Sequence, residues 1–189
     1  LGVELQVVKI EGWKRGQQFD TTGQPWTNPS PNMRNLTQAL LYPGIGLLET
    51  AMSVGRGTDT PFEVIGAPYI DDVRLADRLN ALGQAGVRFV PIRFTPSASV
   101  YKGKSCGGVN IIVTDRRKLR AVPLGIDIAR ELHALYPKEF PLAKVGRLLC
   151  HPPTLEALGQ GKTLAQIEAL WKTDLDKFTP RRAKHLLYE

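Results

Sequence analysis

The chain has 189 residues, of which 42% are hydrophobic and 23% charged, and its formal net charge is +7. This composition is ordinary for a globular protein with one real core or two small ones. No run of about 18 apolar residues exists, so a transmembrane helix is excluded. Residues 1–5 also lack the basic start of a signal peptide. Because the chain opens with Leu, we expect a fragment or a processed product, whose missing signal says nothing about location.

The positive charge favours acidic partners, namely nucleic acid, anionic lipid or acidic glycans such as cell-wall polymers, although solubility alone explains it equally well. The basic residues are scattered, and the densest cluster, residues 181–184, is short. We therefore predict no nucleic-acid partner. Cys106 and Cys150 leave one disulfide possible without establishing it. The three histidines are scattered in the sequence, so no metal site is predicted.

The first half of the chain alternates short regular elements with two long loops. A strand is predicted over Val3–Ile10, and a short helix over Leu36–Leu41 that ends before Pro43. Residues 12–35 and 50–61 are rich in Gly, Pro, Asn and Thr and are predicted to be ordered loops. A second strand is predicted over Phe62–Ile65.

In the second half, Asp71 is expected to cap a helix whose apolar residues recur at helical spacing. Strands follow over 87–95, with Pro91 indicating a sheet edge or a bulge, and over 109–114. A helix is predicted from Pro123. The C-terminal segment, about 153–189, is expected to be helical, with Leu164, Ile167, Trp171, Leu175 and Phe178 on one face. The predicted fold is α+β: a mixed β-sheet with flanking helices, and the long loops as working surface.

Residues 159–163 resemble the end of a phosphate-binding loop, but Glu156 stands where that motif needs its first glycine. Thr163 and Gln166 instead form a capping-box pattern at the start of a helix.

The segment 53–59 (SVGRGTD) is the most informative loop. Gly55 and Gly57 permit tight turns and close approach to a ligand, while Arg56 offers donors that suit a carboxylate or phosphate. The backbone N–H groups of this loop, as far as Thr58, could also line a concave anion-binding site. The alternative is a structural turn in which Arg56 pairs with a local acid such as Asp59 or Glu63.

Two further groups of residues are candidates for sugar chemistry. Ser30 and Asn32 lie in a proline-fixed segment, 28–33, that could present polar groups to sugar hydroxyls or satisfy its own backbone. Glu49 and Glu63 bracket the glycine loop, and glycosidases usually use two carboxyl groups, although most such pairs are surface charges.

Several spaced blocks together resemble one family. They are WTNPSPNM (26–33), YPG (42–44), SVGRGTDTPFE (53–63), GAP (66–68), FTPS (94–97), YKG (101–103), CGGV (106–109) and TDR (114–116). Trp171, Leu175, Phe178 and residues 186–188 close the series. In this order they look like the second half of the NamZ-type exo-β-N-acetylmuramidases.

The resemblance implies a cleft between this region and a Rossmann-like N-terminal domain, and removal of N-acetylmuramic acid from non-reducing glycan ends without a cofactor. It makes Arg56 the best candidate for the lactyl carboxylate, and Tyr69, where the family has Trp, a candidate for sugar stacking. The catalytic acid associated with the family lies in a Glu-His-Gly block that this chain lacks, so the catalytic residues stay unknown, with Glu49 and Glu63 as candidates.

Two other functions remain open from the sequence: a non-catalytic cell-wall glycan-binding or structural module, and a cell-wall esterase or amidase. An extracellular or periplasmic location is expected for a bacterial enzyme with this substrate, with a cytoplasmic one left open.

Overall fold

The computed structural model describes residues 2–188, which form six α-helices, two short 3-10 helices and three β-strands. The helices are α1 (Leu36–Ile45), α2 (Asp72–Ala81), α3 (Ala121–Leu135), α4 (Leu142–Leu149), α5 (Pro152–Gly159) and α6 (Leu164–Ala183). The strands are β1 (Val64–Ala67), β2 (Val87–Phe94) and β3 (Cys106–Val113). The 3-10 helices are Phe19–Thr21 and Gly46–Leu48. The predicted α+β class is confirmed.

The sheet has the order β1-β3-β2, and both pairings are antiparallel. The predicted sheet was mixed, so this detail is corrected: both neighbours of β3 run against it. Pro91 lies on β2, an edge strand, opposite Val109. Its missing N–H is harmless there, as the sequence predicted. Asn80 of α2 fixes the helix to this strand, because its side chain donates to and accepts from the Phe89 backbone at 2.8 and 3.1 Å.

Helices α1 and α3 cross with their backbones in contact. A Cβ built on Gly44 would lie 1.7 Å from the Ala121 carbonyl oxygen, and one on Gly125 would lie 2.3 Å from the Gly44 oxygen. Only glycine at both positions permits this approach. The prediction that α1 ends before Pro43 was therefore wrong: the helix continues to Ile45, and its last turn is buried against α3.

Local capping signals in the sequence matched the structure. The Asp71 side chain accepts from the Arg74 backbone N–H at 2.9 Å and caps α2. Thr163 and Gln166 form both bonds of the capping box at the start of α6. The predicted common apolar face of α6 is correct only at its start, because Ile167 is buried whereas Leu175 and Phe178 are 52% and 47% exposed. Helix α4 was not predicted.

Two predicted strands are absent or displaced. Residues 3–10 form no strand in the structure and all of them are exposed. The strand predicted over Phe62–Ile65 begins instead at Val64. Phe62 has a left-handed backbone conformation, with φ of 65°, which is incompatible with an extended strand.

Two further properties concern the whole described chain. Cys106 is buried and Cys150 exposed, and the two thiols are free, so the disulfide that the sequence allowed does not form here. Across residues 2–188, no helix combines the length and the apolar character needed to cross a membrane.

Candidate functional site

Backbone hydrogen bonds fix the two ends of the glycine loop, Ser53 to Glu63. Ser53 exchanges two backbone hydrogen bonds with Gly66 of β1, at 3.1 and 2.9 Å, and the Phe62 N–H donates to the Val54 carbonyl at 2.7 Å. Inside this frame, Gly55 has a φ of 77° and lies so close to Val64 that a Cβ would meet its side chain at 2.7 Å. The sequence-predicted role of Gly55 in a tight turn is therefore met by geometry.

Gly57 packs against the turn that follows β2. A Cβ on Gly57 would lie 2.3 Å from the Ala98 nitrogen, and its φ is 82°. The Ser97 backbone N–H and hydroxyl both donate to the Gly57 carbonyl, at 2.9 and 2.8 Å. Thr58 closes the loop from the other side by donating its hydroxyl to the Gly55 carbonyl at 2.7 Å. The loop tip is consequently rigid and its backbone path is fixed.

Arg56 points back from the loop tip to Glu49. Its Nε and Nη2 lie 3.2 and 2.7 Å from the same carboxylate oxygen, and the guanidinium lies 5.1 Å from the Phe62 ring centre. The acid that pairs with Arg56 is therefore Glu49, not Asp59 or Glu63. Both side chains are about a quarter exposed, at 28% for Arg56 and 26% for Glu49. Both of these bonds use Nε and Nη2. The third guanidinium nitrogen, Nη1, has no hydrogen-bond partner within residues 2–188.

Glu63, at the end of the loop, accepts hydrogen bonds from side chains at the start of α1. Its Oε1 accepts from the Asn35 and Gln38 side-chain amides at 3.2 and 2.9 Å. Asn35 also caps α1 by accepting from the Gln38 N–H at 2.9 Å, and the Gln38 Oε1 accepts from the Arg34 N–H at 2.7 Å. Glu63 thus ties the first turn of α1 to the glycine loop.

A depression of about 420 Å³ lies beside the glycine loop, and its lining residues come from three separate segments. They are Arg34, Gly57, Thr58, Asp59, Phe94, Thr95 and Ser97. Two of these, Gly57 and Thr58, were predicted from the sequence, whereas the predicted Arg56 is not among the lining residues. Arg34, an exposed cation one residue beyond the block 26–33, and the hydroxyls after β2 were not predicted.

Ser30 and Asn32 lie in a tight turn that directly precedes Arg34, one of the residues that line this depression. The Met33 N–H donates to the Ser30 carbonyl at 2.9 Å, and Ser30 and Asn32 are both half-buried. Arg34 donates its Nε to the Pro31 carbonyl at 3.1 Å, so the turn positions Arg34. The predicted contacts of Ser30 and Asn32 with a sugar stay predictions.

Tyr69 occupies a different place from the other predicted residues. Its ring packs edge-on against Tyr136, with centroids 5.5 Å apart, and it is not among the residues that line the depression. Its hydroxyl is buried without a hydrogen-bond partner among the described residues. Burial, reinforced by the neighbouring Tyr101, raises the pKa of the Tyr69 phenol well above its usual range. The structure therefore gives Tyr69 packing contacts, and its stacking role stays a prediction.

The largest depression, about 870 Å³, lies between the first loop and the turn after β3. An ion pair of 2.6 Å between Arg116 and Asp20 links these two segments. Among residues 2–188, no group of three or more His, Cys, Asp or Glu side chains is arranged to hold a metal ion.

Comparison with known proteins places this geometry in a family. Residues 40–188 match the model of the C-terminal region of the exo-β-N-acetylmuramidase NamZ. The chain belongs to the NamZ family. Residues 1–37 match the model of the NamZ N-terminal region. The chain is also 38% identical over 192 residues to the peptidoglycan β-N-acetylmuramidase NamZ of Bacillus subtilis, and the match covers 100% of this chain and 46% of that protein.

Two solved structures share the fold. A DUF1343 family protein from Bacteroides fragilis is 28% identical, with a TM-score of 0.75 over 94% of this chain and 49% of its own. A second DUF1343 family protein from that organism is 27% identical, with a TM-score of 0.64 over 86% of this chain and 44% of its own. The chain thus spans about half the length of the relatives it matches.

The two NamZ family matches meet at the candidate site. Arg34 and Asn35 lie in the part that matches the N-terminal region, whereas Gly57, Glu63 and Ser97 lie in the part that matches the C-terminal region. The contacts of Asn35 with Glu63 and of Arg34 with the depression therefore join the two NamZ regions at this point.

Proposed function

We propose that this chain forms one wall of the cleft of an exo-β-N-acetylmuramidase, a glycoside hydrolase that releases N-acetylmuramic acid from the non-reducing ends of peptidoglycan fragments. Membership of the NamZ family supports the activity. The position of the 420 Å³ depression carries the assignment of the cleft, because its lining comes from both NamZ regions. In this proposal, the opposite wall and the principal catalytic acid come from the Rossmann-like N-terminal region.

The groups around the depression suit a muramic-acid sugar. Thr58 and Ser97 donate their hydroxyl protons to loop carbonyls and can accept from sugar hydroxyls, and Thr95 adds a further hydroxyl. The half-buried Phe94 offers an aromatic surface. The lactyl carboxylate of N-acetylmuramic acid requires a cation, which Arg34 or Arg56 can supply. On the same grounds we propose a location outside the cytoplasmic membrane, where peptidoglycan lies.

Arg56 is our first candidate for the carboxylate, with Glu49 as the residue that orients it. Arg56 does not itself line the depression, but it directly precedes the lining residue Gly57. Glu49 holds Nε and Nη2, which leaves Nη1 for a ligand at the edge of the depression. Arg56→Lys keeps the charge but loses the planar fork that both contacts use. We expect a roughly ten- to a hundredfold loss of affinity, equivalent to one charge-assisted hydrogen bond.

The test uses a polypeptide that carries a NamZ N-terminal region ahead of residues 1–189. Turnover of a chromogenic muramide is compared with turnover of its carboxyl-reduced analogue for the Arg56→Ala, Arg56→Lys and Arg34→Ala variants. Arg88→Ala is the matched control, because Arg88 is exposed on β2 and belongs neither to the glycine loop nor to the lining of the depression. A loss restricted to the carboxylate substrate identifies the binding residue, and an equal loss on both substrates assigns that arginine to bracing the loop. If neither the unmodified protein nor any of the variants releases the sugar, the muramidase proposal itself is wrong.

A further inference from the structure

Residues 3–10 present an apolar segment that the rest of the described chain leaves uncovered. Five of its eight residues are apolar and exposed: Val3 73%, Leu5 77%, Val7 51%, Val8 86% and Ile10 65%. Neither edge of the sheet, β1 or β2, pairs with the segment. A contiguous exposed apolar stretch of this kind marks a surface that another element covers.

The sequence of the segment is that of a β-strand. It contains three valines and an isoleucine, and no Gly or Pro, and glycines with positive φ stand on either side at Gly2 and Gly12. Leu5 and Val7 would share one face of a strand and Val8 and Ile10 the other. A strand with apolar residues on both faces is typical of a sheet that is covered on both sides. The partner that would cover this segment is therefore expected to be a β-sheet and not a helix or a groove.

The C-terminal end of the segment is fixed to the last residues of the chain. The Ile10 N–H donates to the Tyr188 hydroxyl at 2.8 Å, and the Trp13 ring packs edge-on against the Tyr188 ring with centroids 4.8 Å apart. The preceding Leu186 and Leu187 are also partly exposed, at 37% and 47%. The segment is thus attached at Ile10 to a defined point on the surface.

The family comparison identifies which element covers it. Residues 1–37 match the NamZ N-terminal region, so the segment belongs by sequence to that region, while Tyr188 belongs to the C-terminal region. We propose that residues 3–10 form a β-strand in a sheet of the NamZ N-terminal region, and that Tyr188 anchors this strand to the C-terminal region. This inference does not depend on the muramidase activity.

Hydrogen exchange tests the proposal in a polypeptide that carries a NamZ N-terminal region ahead of residues 1–189. We expect the backbone amides of residues 3–9 to exchange at least about a hundredfold more slowly there than in residues 1–189 alone, because cross-strand bonds protect amides. Equal and fast exchange in both proteins would overturn the proposal. The readout requires no substrate, so it is independent of whether the enzyme is active.

A pair of neighbouring variants tests the strand geometry. Leu5→Asn replaces an apolar side chain by an amide, whereas Gln6→Asn replaces one amide by another at the neighbouring position. We expect Leu5→Asn to speed exchange of residues 3–9 at least about tenfold in the two-region polypeptide, because it places an amide where Leu5 was covered, and Gln6→Asn to leave it within about twofold. Equal effects of the two variants would contradict a strand in which the Leu5 side chain is covered. If Leu5→Asn prevents folding, the exchange comparison on the unmodified protein still decides the question.

A second copy of this chain is the competing occupant. Sedimentation of residues 1–189 over a range of concentrations separates the two possibilities. We expect a monomer whose residues 3–9 exchange rapidly. A dimer in which these amides become protected would assign the strand to self-pairing and overturn the proposal.

Discussion

At the scale of single residues, Gly57 combines a left-handed backbone conformation with a close approach to another backbone segment. Gly57→Ala places a Cβ 2.3 Å from the Ala98 nitrogen, whereas Gly103→Ala, at a φ of 72°, meets nothing within 4 Å. Both variants incur the left-handed backbone penalty, which is roughly 1–2 kcal/mol, but only Gly57→Ala also forces two backbones apart. We expect Gly57→Ala to lower the free energy of unfolding in urea by more than about 2 kcal/mol and Gly103→Ala by less. Equal losses would mean that the turn after β2 moves freely and that the loop tip is not rigid.

The ion pair between Arg56 and Glu49 is expected to contribute little to stability by itself. Both side chains are about a quarter exposed, so solvent screens the attraction. A double-mutant cycle with Glu49→Gln and Arg56→Met should give a coupling energy of about 1 kcal/mol or less in urea unfolding. If Glu49 orients Arg56 for a ligand, Glu49→Gln should weaken turnover of the muramide more than that of its carboxyl-reduced analogue. A large coupling energy with unchanged kinetics would make the pair purely structural.

The residues of the site divide according to how far apart in sequence their contacts lie. Gly55, Gly57 and Arg56 could be predicted because they form one short motif. The contribution of Arg34 could not, because it depends on a turn at 30–33 and on a loop more than twenty residues later. The sequence offered Asp59 or Glu63 as a structural partner of Arg56, and Glu49 or Glu63 as a residue that orients it, without deciding among them. The structure selects Glu49, at the end of a 3-10 turn, Gly46–Leu48, that was not predicted.

At the scale of elements, the start of α6 offers a test of local sequence signals. Thr163→Ala removes the hydroxyl that accepts from the Gln166 N–H, so we expect it to lower the free energy of unfolding by about 1 kcal/mol. Thr173→Ala is the matched control, because Thr173 lies within the exposed part of the same helix, where alanine favours the helical state. Urea unfolding followed by circular dichroism measures both. Equal effects of the two variants would show that the capping box contributes nothing.

Elements whose determinants are local were predicted, and elements that depend on distant partners were not. The caps of α2 and α6 and the edge position of Pro91 follow from a few adjacent residues. The continuation of α1 through Pro43 depends on Gly125, which lies in another helix. Residues 3–10 have a strand pattern but form no strand in this chain, and on our inference their partner strand lies in the N-terminal region. Pattern thus indicated what a segment prefers, and tertiary contacts decided whether that preference was realised.

At the scale of the whole molecule, the parts of the chain that match the two NamZ regions are joined by hydrogen bonds at two places. The Asn35 amide donates to Glu63, and the Ile10 N–H donates to the Tyr188 hydroxyl. On our proposals, the first contact lies at the substrate-facing wall and the second at the anchor of a strand of the N-terminal region. The net charge of +7 favours an acidic glycan as the substrate that we propose.

The carboxylates near the depression predict how residues 1–189 behave alone. Most glycosidases use two positioned carboxyl groups that flank the scissile bond. Here the Glu49 carboxylate is held by Arg56, Glu63 is held by two amides, and Asp59 is the acidic residue that lines the depression. We therefore expect residues 1–189 alone to bind muramic-acid sugars weakly and to release no N-acetylmuramic acid from a chromogenic muramide.

Adding a separately produced NamZ N-terminal region should restore turnover, provided that the two parts associate through residues 3–10 and the depression. Each part and their mixture are assayed at equal concentrations, and association is measured independently by sedimentation. The Asp59→Asn variant is the decisive control, because it removes the carboxylate that lines the depression while keeping the size of the side chain. Turnover by residues 1–189 alone that Asp59→Asn abolishes would place the catalytic centre in this chain. Turnover that appears only in the mixture and survives Asp59→Asn would place the catalytic acid in the N-terminal region.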